Sequence, residues 1–157
     1  MIFFRKAVMD DYDQVLMLKQ QVHSLHVTAC PEFYKDLDKA FSKEKFVEDL
    51  NNDRLDIYVL VKEDHGLLGY AYVNKIIISN HPVITNQKVF FIEDFCIDEK
   101  YRGKGFGKEL FKRLEESART EGFTSIELDV WDFNETAKNF YEKTGMECIR
   151  HRMRKTL

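Results

Sequence analysis

"FIEDFCIDEKYRGKGFGKEL", Phe91 to Leu110, runs from an apolar strand pattern through a glycine cluster into an amphipathic helix pattern. Three of the chain's seven glycines, Gly103, Gly105 and Gly107, stand here among Arg102, Lys104 and Lys108. A strand, a glycine-rich turn and then a helix form the physical recipe for an anion site. Glycines let main-chain N–H groups converge, and the helix start adds roughly half a positive charge. The run lacks the Lys-Ser/Thr that ends a Walker A loop, and its spacing is not the G-x-G-x-x-G of a Rossmann turn. Spacing alone also allows a glycine-rich turn whose lysines are simply solvated.

Working outward, Lys88 to Asp98 carries apolar residues on both faces, as a central strand does, with Glu93 and Asp94 in its middle. Downstream, Phe106, Leu110, Leu114 and Ala118 recur every four residues along one helix face, and Gly122 is a stop signal. "TSIELDV" predicts the next strand. Asn134 can cap a short helix bearing Ala137, Phe140 and Tyr141, ended by Thr144-Gly145, and "MECIRHRMRKTL" alternates into a last strand. Upstream, Ile2–Val8 predicts a first strand. Asp10, Asp11 and Asp13 offer caps for a helix with Val15, Leu16, Leu18, Val22 and Leu25, and Ser42 caps another with Phe46, Val47 and Leu50. Asp56 to Ser79 looks like a hairpin around Glu63–Gly66. The order strand, two helices, three strands, helix, strand, helix, strand predicts a mixed α/β domain of about six strands with one parallel pair.

At 157 residues, 44% of them hydrophobic, the chain suits one domain over 1–157, uninterrupted by any linker or repeat. A net charge of −3 leaves no global footprint for nucleic acid or an anionic membrane, so a cationic function has to be local. Cys30, Cys96 and Cys148 are odd in number and form no CxxC pair, which points to reduced thiols in a cytoplasm. The start "MIFFRKAVMDD" reads as neither signal peptide nor anchor.

Arg102-Gly103-Lys104-Gly105-Phe106-Gly107 resembles the Arg/Gln-x-x-Gly-x-Gly/Ala motif of the GCN5-related N-acetyltransferase (GNAT) family, and a strand precedes it as in that family. "NETAKNFYEKTGM", Asn134 to Met146, resembles the family's second helix motif, Met146 replacing the usual Phe. The resemblance implies an acyl-CoA N-acyltransferase fold: a mixed, mostly antiparallel twisted sheet of six to seven strands, its parallel pair splayed at the cofactor site, with about four helices. It implies acetyl-CoA as cosubstrate and no metal. Gly103, Lys104, Gly105, Phe106, Gly107 and Lys108 would wrap the pyrophosphate, steered by Arg102 and Lys108. The backbone of Phe95, Cys96 and Ile97 would grip the pantetheine arm. Asn134 would approach the cofactor, a role compatible with capping its helix.

Tyr141 matches the family's general acid. A phenol of pKa about 10 stays protonated at neutral pH and can hydrogen-bond a departing thiolate. An alkylamine acceptor with a pKa near 10.4 is protonated at pH 7, so exposing its lone pair costs about 4 to 5 kcal/mol. Glu93 matches a position where several family members place the base that takes this proton, directly or through water. Asp94 is its competitor and a candidate acceptor contact; the two face opposite ways on an unbroken strand, and a bulge would change that. "HSLHVTACPEFY" resembles the segment over the acceptor site, which makes His26, Glu32, Phe33 and Tyr34 pocket-lining candidates. His23, His26 and Cys30 share a helix face but lack a fourth ligand for zinc. Arg150, Arg152 and Arg154, alternating with Ile149, His151 and Met153, suit an edge-protecting strand face.

The combined expectation is an N-acetyltransferase in which a primary amine, such as a polyamine, amino acid or aminoglycoside, attacks the thioester directly. It would act as a monomer or homodimer, without nucleic acid or membrane. A protein or peptide N-acetyltransferase and a non-catalytic acyl-CoA-binding regulatory module are the alternatives.

Overall fold

The computed structural model describes residues 1–37 and 41–157. Among these, one sheet holds five strands in chain order, β1 (Ile2–Lys6), β2 (Leu55–Lys62), β3 (Gly66–Ile78), β4 (Gln87–Ile97) and β5 (Ser125–Leu128). β1 to β4 pair antiparallel, and β5 joins β4 parallel. The α-helices are α1 (Tyr12–Ala29), α2 (Lys43–Leu50), α3 (Phe106–Thr120) and α4 (Glu135–Lys143). No helix among the described residues is long and apolar enough to cross a membrane.

β2 and β3 meet in the expected hairpin, whose turn needs left-handed backbone at Asp64 (φ 67°) and Gly66 (φ 79°). Their apolar runs are nearly continuous because the sheet is covered on both sides. One face packs Tyr58, Leu60, Leu68, Phe90 and Ile92 against Leu110, Phe111, Leu114 and Ala118 of α3. The other packs Ile57, Val59, Tyr70, Tyr72 and Cys96 against Val15 and Leu18 of α1 and Phe46 of α2.

Two of the expected caps form: Ser42 Oγ accepts from Lys45 N at 3.1 Å, and Asn134 Oδ1 accepts from Ala137 N at 3.1 Å. Asp11 sits before α1 but makes no side-chain cap to it. Its carboxylate accepts instead from Val8 N at 2.8 Å and from Arg5 at 2.6 and 2.9 Å, fastening the end of β1.

The strand expected at the end of the chain does not form, so the sheet has five strands rather than six or seven. Residues 147–157 carry no regular structure, and Ile149 is 64% and Met153 88% exposed. Alternation makes a strand only when an edge is there to pair with, and in one chain this segment lies off the sheet.

Candidate active site

The glycine cluster forms the entrance to α3. Gly103 (φ 73°) and Gly105 (φ 86°) adopt left-handed backbone, and apart from their immediate chain neighbours no described residue comes within 4 Å of where a Cβ would stand on either. The space beside them is open, so the need for glycine is conformational. Gly107 differs: a Cβ there would come within 3.3 Å of the Phe140 ring, so this glycine seats α4 against α3. Because Glu109 N bonds to Gly105 O, the amides of Phe106, Gly107 and Lys108 precede the first intrahelical bond and have no hydrogen-bond acceptor among the described residues. Arg102 is held inward by a bond from Nε to Ile97 O at 3.0 Å, and Lys104 Nζ reaches Lys100 O at 3.0 Å. Lys108 is exposed on the first turn.

The parallel pair parts beside this turn. β4 and β5 are in register from Val89↔Ser125 to Ile92↔Leu128 and no further, although β4 continues to Ile97. Asp98 N donates to Leu68 O on β3. By the alternation of an antiparallel ladder, Phe95 and Ile97 therefore direct their backbone groups away from β3, into the gap. Ile97 O already takes the Arg102 bond, whereas Cys96 faces β3 and α1. Burial, with help from the Asp94 charge, pushes the Cys96 thiol up to about 12, which makes it inert.

At the start of the gap, β4 is irregular. The ladder with β3 jumps from Tyr72↔Asp94 to Val73↔Ile92, leaving Glu93 as the extra residue of a bulge. Asp94 consequently turns to the α1 face, and Glu93 also reaches that face, where it accepts from Asn74 Nδ2 at 3.0 Å. Glu93 is exposed; Asp94 is not. Tyr70 Oη donates to Asp94 at 2.6 Å, and Lys19 Nζ lies 3.2 Å from the same Oδ2. The Lys19 ammonium also sits 3.9 Å from the Tyr72 ring centroid and 4.5 Å from that of Phe41, inside an aromatic box. His26, seven residues along α1 from Lys19, feels burial, which depresses its basicity, and the Asp94 charge, which opposes that.

From the other side, α4 presents Tyr141 to the gap, packed on Phe95 and Phe111 with ring centroids 6.2 Å away in each case. Burial raises the phenol well above its usual value, and the Asp94 charge raises it further. Asn134 starts the same helix, its side chain engaged as the cap.

Of the residues expected over the acceptor site, His26 stacks on Tyr34 at 4.8 Å, and Phe33 meets Tyr34 edge-on at 4.9 Å. Glu32 lies farther out, 3.8 Å from Arg154. Trp131, unremarked in the sequence, completes the group: its Nε1 donates to Tyr34 Oη at 2.8 Å, and its ring touches Phe33 and Phe133. This bond ties the segment after α1 to the end of β5. His23 does not converge with His26 and Cys30 on a shared point, since its Nε2 is bonded to Lys35 O at 2.8 Å. Lys19, Tyr70, Tyr72 and Trp131 carried no sequence signal of their own, being single residues in apolar or helical runs.

A sheet parted beside a glycine-lined helix start, with a protonated phenol across the gap, defines an acyl-group transferase of the acyl-CoA N-acyltransferase fold. Comparison with known proteins gives the family. The acetyltransferase (GNAT) family model matches residues 20–146, and the chain belongs to that family. The uncharacterized N-acetyltransferase YycN of Bacillus subtilis is 29% identical over 120 residues, 76% of this chain and 73% of its own. L-ornithine N5-acetyltransferase NATA1 of Arabidopsis thaliana is 38% identical over 71 residues, 45% of this chain and 31% of that protein. The crystal structure of a tetramutant of the BH1408 protein from Bacillus halodurans superposes with a TM-score of 0.95 at 30% identity, over 99% of both chains.

Proposed function

We propose that the protein, acting as one domain over 1–157, moves an acetyl group from acetyl-CoA to the primary amine of a small molecule. The parting of β4 from β5 opposite Tyr141 carries this reading. The residues fit the cosubstrate: two glycines with open space beside them, three unpaired amides and the cations Arg102, Lys104 and Lys108 suit a pyrophosphate. Phe95 and Ile97 N–H groups suit the pantetheine amides and the thioester carbonyl. Asn134 keeps its cap while flanking that path.

In the reaction the amine nitrogen bonds to the carbonyl carbon, and the carbon–sulfur bond breaks. Tyr141 gives its phenolic proton to the leaving sulfur. Glu93, exposed and with one oxygen unshared, takes the ammonium proton through water. Asp94 is a weaker candidate for base because Lys19 and Tyr70 already donate to it; it acts as a fixed negative charge near the acceptor.

A small acceptor suits the aromatic cluster of His26, Phe33, Tyr34 and Trp131, which the Trp131–Tyr34 bond holds together between the segments that follow α1 and β5. The ornithine acetyltransferase among the relatives supports the same class. The three free cysteines suit a reducing cytoplasm. The test is thiol release from acetyl-CoA across polyamines, amino acids, aminoglycosides and peptides. Release with peptides alone would overturn the small-molecule reading, and binding without release for any amine would favour a regulatory module.

Gly105→Val is expected to raise the Kd for acetyl-CoA by more than about tenfold, because a β-branched residue at φ 86° adds roughly 1–3 kcal/mol of strain to the cradle. Calorimetric titration reads this directly, and an unchanged Kd would remove the turn from the binding site.

A further inference from the structure

Lys19 stands on the sheet-facing side of α1, between Val15 and Val22, and its side chain is only 13% exposed. Its ammonium lies 3.9, 4.5 and 5.7 Å from the ring centroids of Tyr72, Phe41 and Tyr70, and 3.2 Å from Asp94 Oδ2. Aromatic faces with a carboxylate among them form a receptor for an alkylammonium, and here the chain's own lysine fills it. A cavity of about 30 Å³ beside it, lined in part by Lys19, Phe41, Asp49 and Tyr72, has room for a water but not for an organic cation. Asp49, the carboxylate on that side, already pairs with Lys45 at 3.0 Å.

A buried ion pair adds little stability over apolar residues of the same shape, so stability alone does not account for this one. Its place does. The adjacent carboxylates Glu93 and Asp94 both face the acceptor side of the gap, and the Asp94 charge acts across it, on Tyr141 of α4 and on His26 of α1. Glu93 accepts from the neutral amide of Asn74 and has no cationic partner among the described residues. The fixed charge of Asp94, by contrast, is offset by Lys19 at close range. Lys19 and Tyr70 both donate to Oδ2, and no donor among the described residues reaches Oδ1. A group arriving from the gap therefore meets a lone pair on Asp94 that belongs to an ion pair, beside one uncompensated carboxylate, Glu93.

We infer that Lys19 is a positioning residue for acceptor charge: held against Asp94, it makes the site select an amine with one ammonium and an uncharged hydrogen-bond donor over a diamine of the same length. The inference rests on the acetyl transfer proposed above and names its acceptor class. The single ammonium faces Glu93, and a hydroxyl or amide group donates to Asp94 Oδ1. A second ammonium at that point would stand near the Lys19 ammonium, with no unanswered carboxylate to offset the cost of leaving water.

Calorimetric titration of the protein with coenzyme A bound, using 4-amino-1-butanol and 1,4-diaminobutane, reads this selection without turnover. Wild type is expected to bind the amino alcohol more tightly. In Lys19→Met, which keeps the stem and removes the charge, the Kd for the diamine should fall about tenfold, the size of a charge-assisted bond at a partly exposed site, while that for the amino alcohol stays within about twofold. Lys19→Arg, which keeps the charge, should keep the wild-type order. Adding Asp94→Asn to Lys19→Met should abolish the gain, since the second ammonium again finds no free carboxylate while Tyr70 keeps an acceptor. With acetyl-CoA, the gain should appear in KM for the diamine and not in kcat, a split that loss of structure would not produce. A wild type that prefers the diamine, a Kd ratio unmoved by Lys19→Met, a gain that survives Asp94→Asn, or no binding of either amine would each overturn the inference. The expected Kd ratios without thiol release from any of these proteins would instead remove the transferase reading and leave the charge selection standing.

Discussion

Tyr141→Phe is expected to lower kcat about 100- to 1,000-fold while the Kd for acetyl-CoA stays within about threefold of wild type, as loss of a general acid does. The substitution removes one oxygen and keeps the ring that packs on Phe95, Phe111 and Phe140, so α4 stays seated and the cofactor path is unchanged. What is lost is the proton for the departing sulfur. Burial and the nearby Asp94 charge both favour the neutral phenol, holding its pKa well above the ordinary tyrosine value. A group raised in this way stays protonated until the pH passes its shifted value. The wild-type rate should therefore show no alkaline fall attributable to Tyr141 up to about pH 10, where an unperturbed tyrosine would already be half ionised. Steady-state kinetics across pH, beside thermal unfolding to verify folding, provide the measurement. A Tyr141→Phe enzyme with kcat near wild type would assign the proton to another donor.

The second large effect is on stability. Asp94→Ala should cost roughly 3 kcal/mol, the range found when one partner of a buried ion pair is removed. Lys19 and Asp94 side chains are 13% and 23% exposed, and the ammonium is enclosed by the Tyr72 and Phe41 rings. Without the carboxylate, Lys19 keeps a charge in that box with no counterion, and the Tyr70 hydroxyl loses its acceptor. Lys19→Met should cost less, because Asp94 keeps the Tyr70 bond and the methionine stem still fills the box. The double variant Lys19→Met, Asp94→Ala should be more stable than Asp94→Ala alone. Urea unfolding of the four proteins forms a double-mutant cycle; a cost below about 1 kcal/mol for Asp94→Ala would mean solvent already screens the pair.

The glycine turn and α3 were legible in the sequence because their signals are local. Gly103 and Gly105 need left-handed backbone, and the four-residue repeat from Phe106 to Ala118 needs one buried face. The same holds for Asn134, whose cap depends on a residue three positions away. The acceptor side was read only in part. Phe33, Tyr34 and His26 do lie together, but what joins them to the rest is Trp131, 97 residues from Tyr34 along the chain, and no periodicity records such a pair. Nor could alternation alone orient Glu93 and Asp94, since the bulge that turns both to the α1 face is fixed by β3 across the ladder. The final segment shows the reverse failure. Its pattern is that of a strand, yet pattern specifies which face a residue prefers and does not supply the edge it would pair with.

β4 is, in effect, two strands spliced out of phase. Before the splice, the even-numbered Phe90 and Ile92 face α3; after it, the odd-numbered Phe95 and Ile97 do, while Asp94 and Cys96 cross to α1. Glu93 is the residue that absorbs the change of parity. Remove it, and both halves would run on as one regular strand with the same side chains on the same faces. The ladder thus has no use for this position, and core packing places no demand on its side chain. A carboxylate can stand in the middle of a central strand, facing solvent, because it occupies the one place there that the fold leaves uncounted.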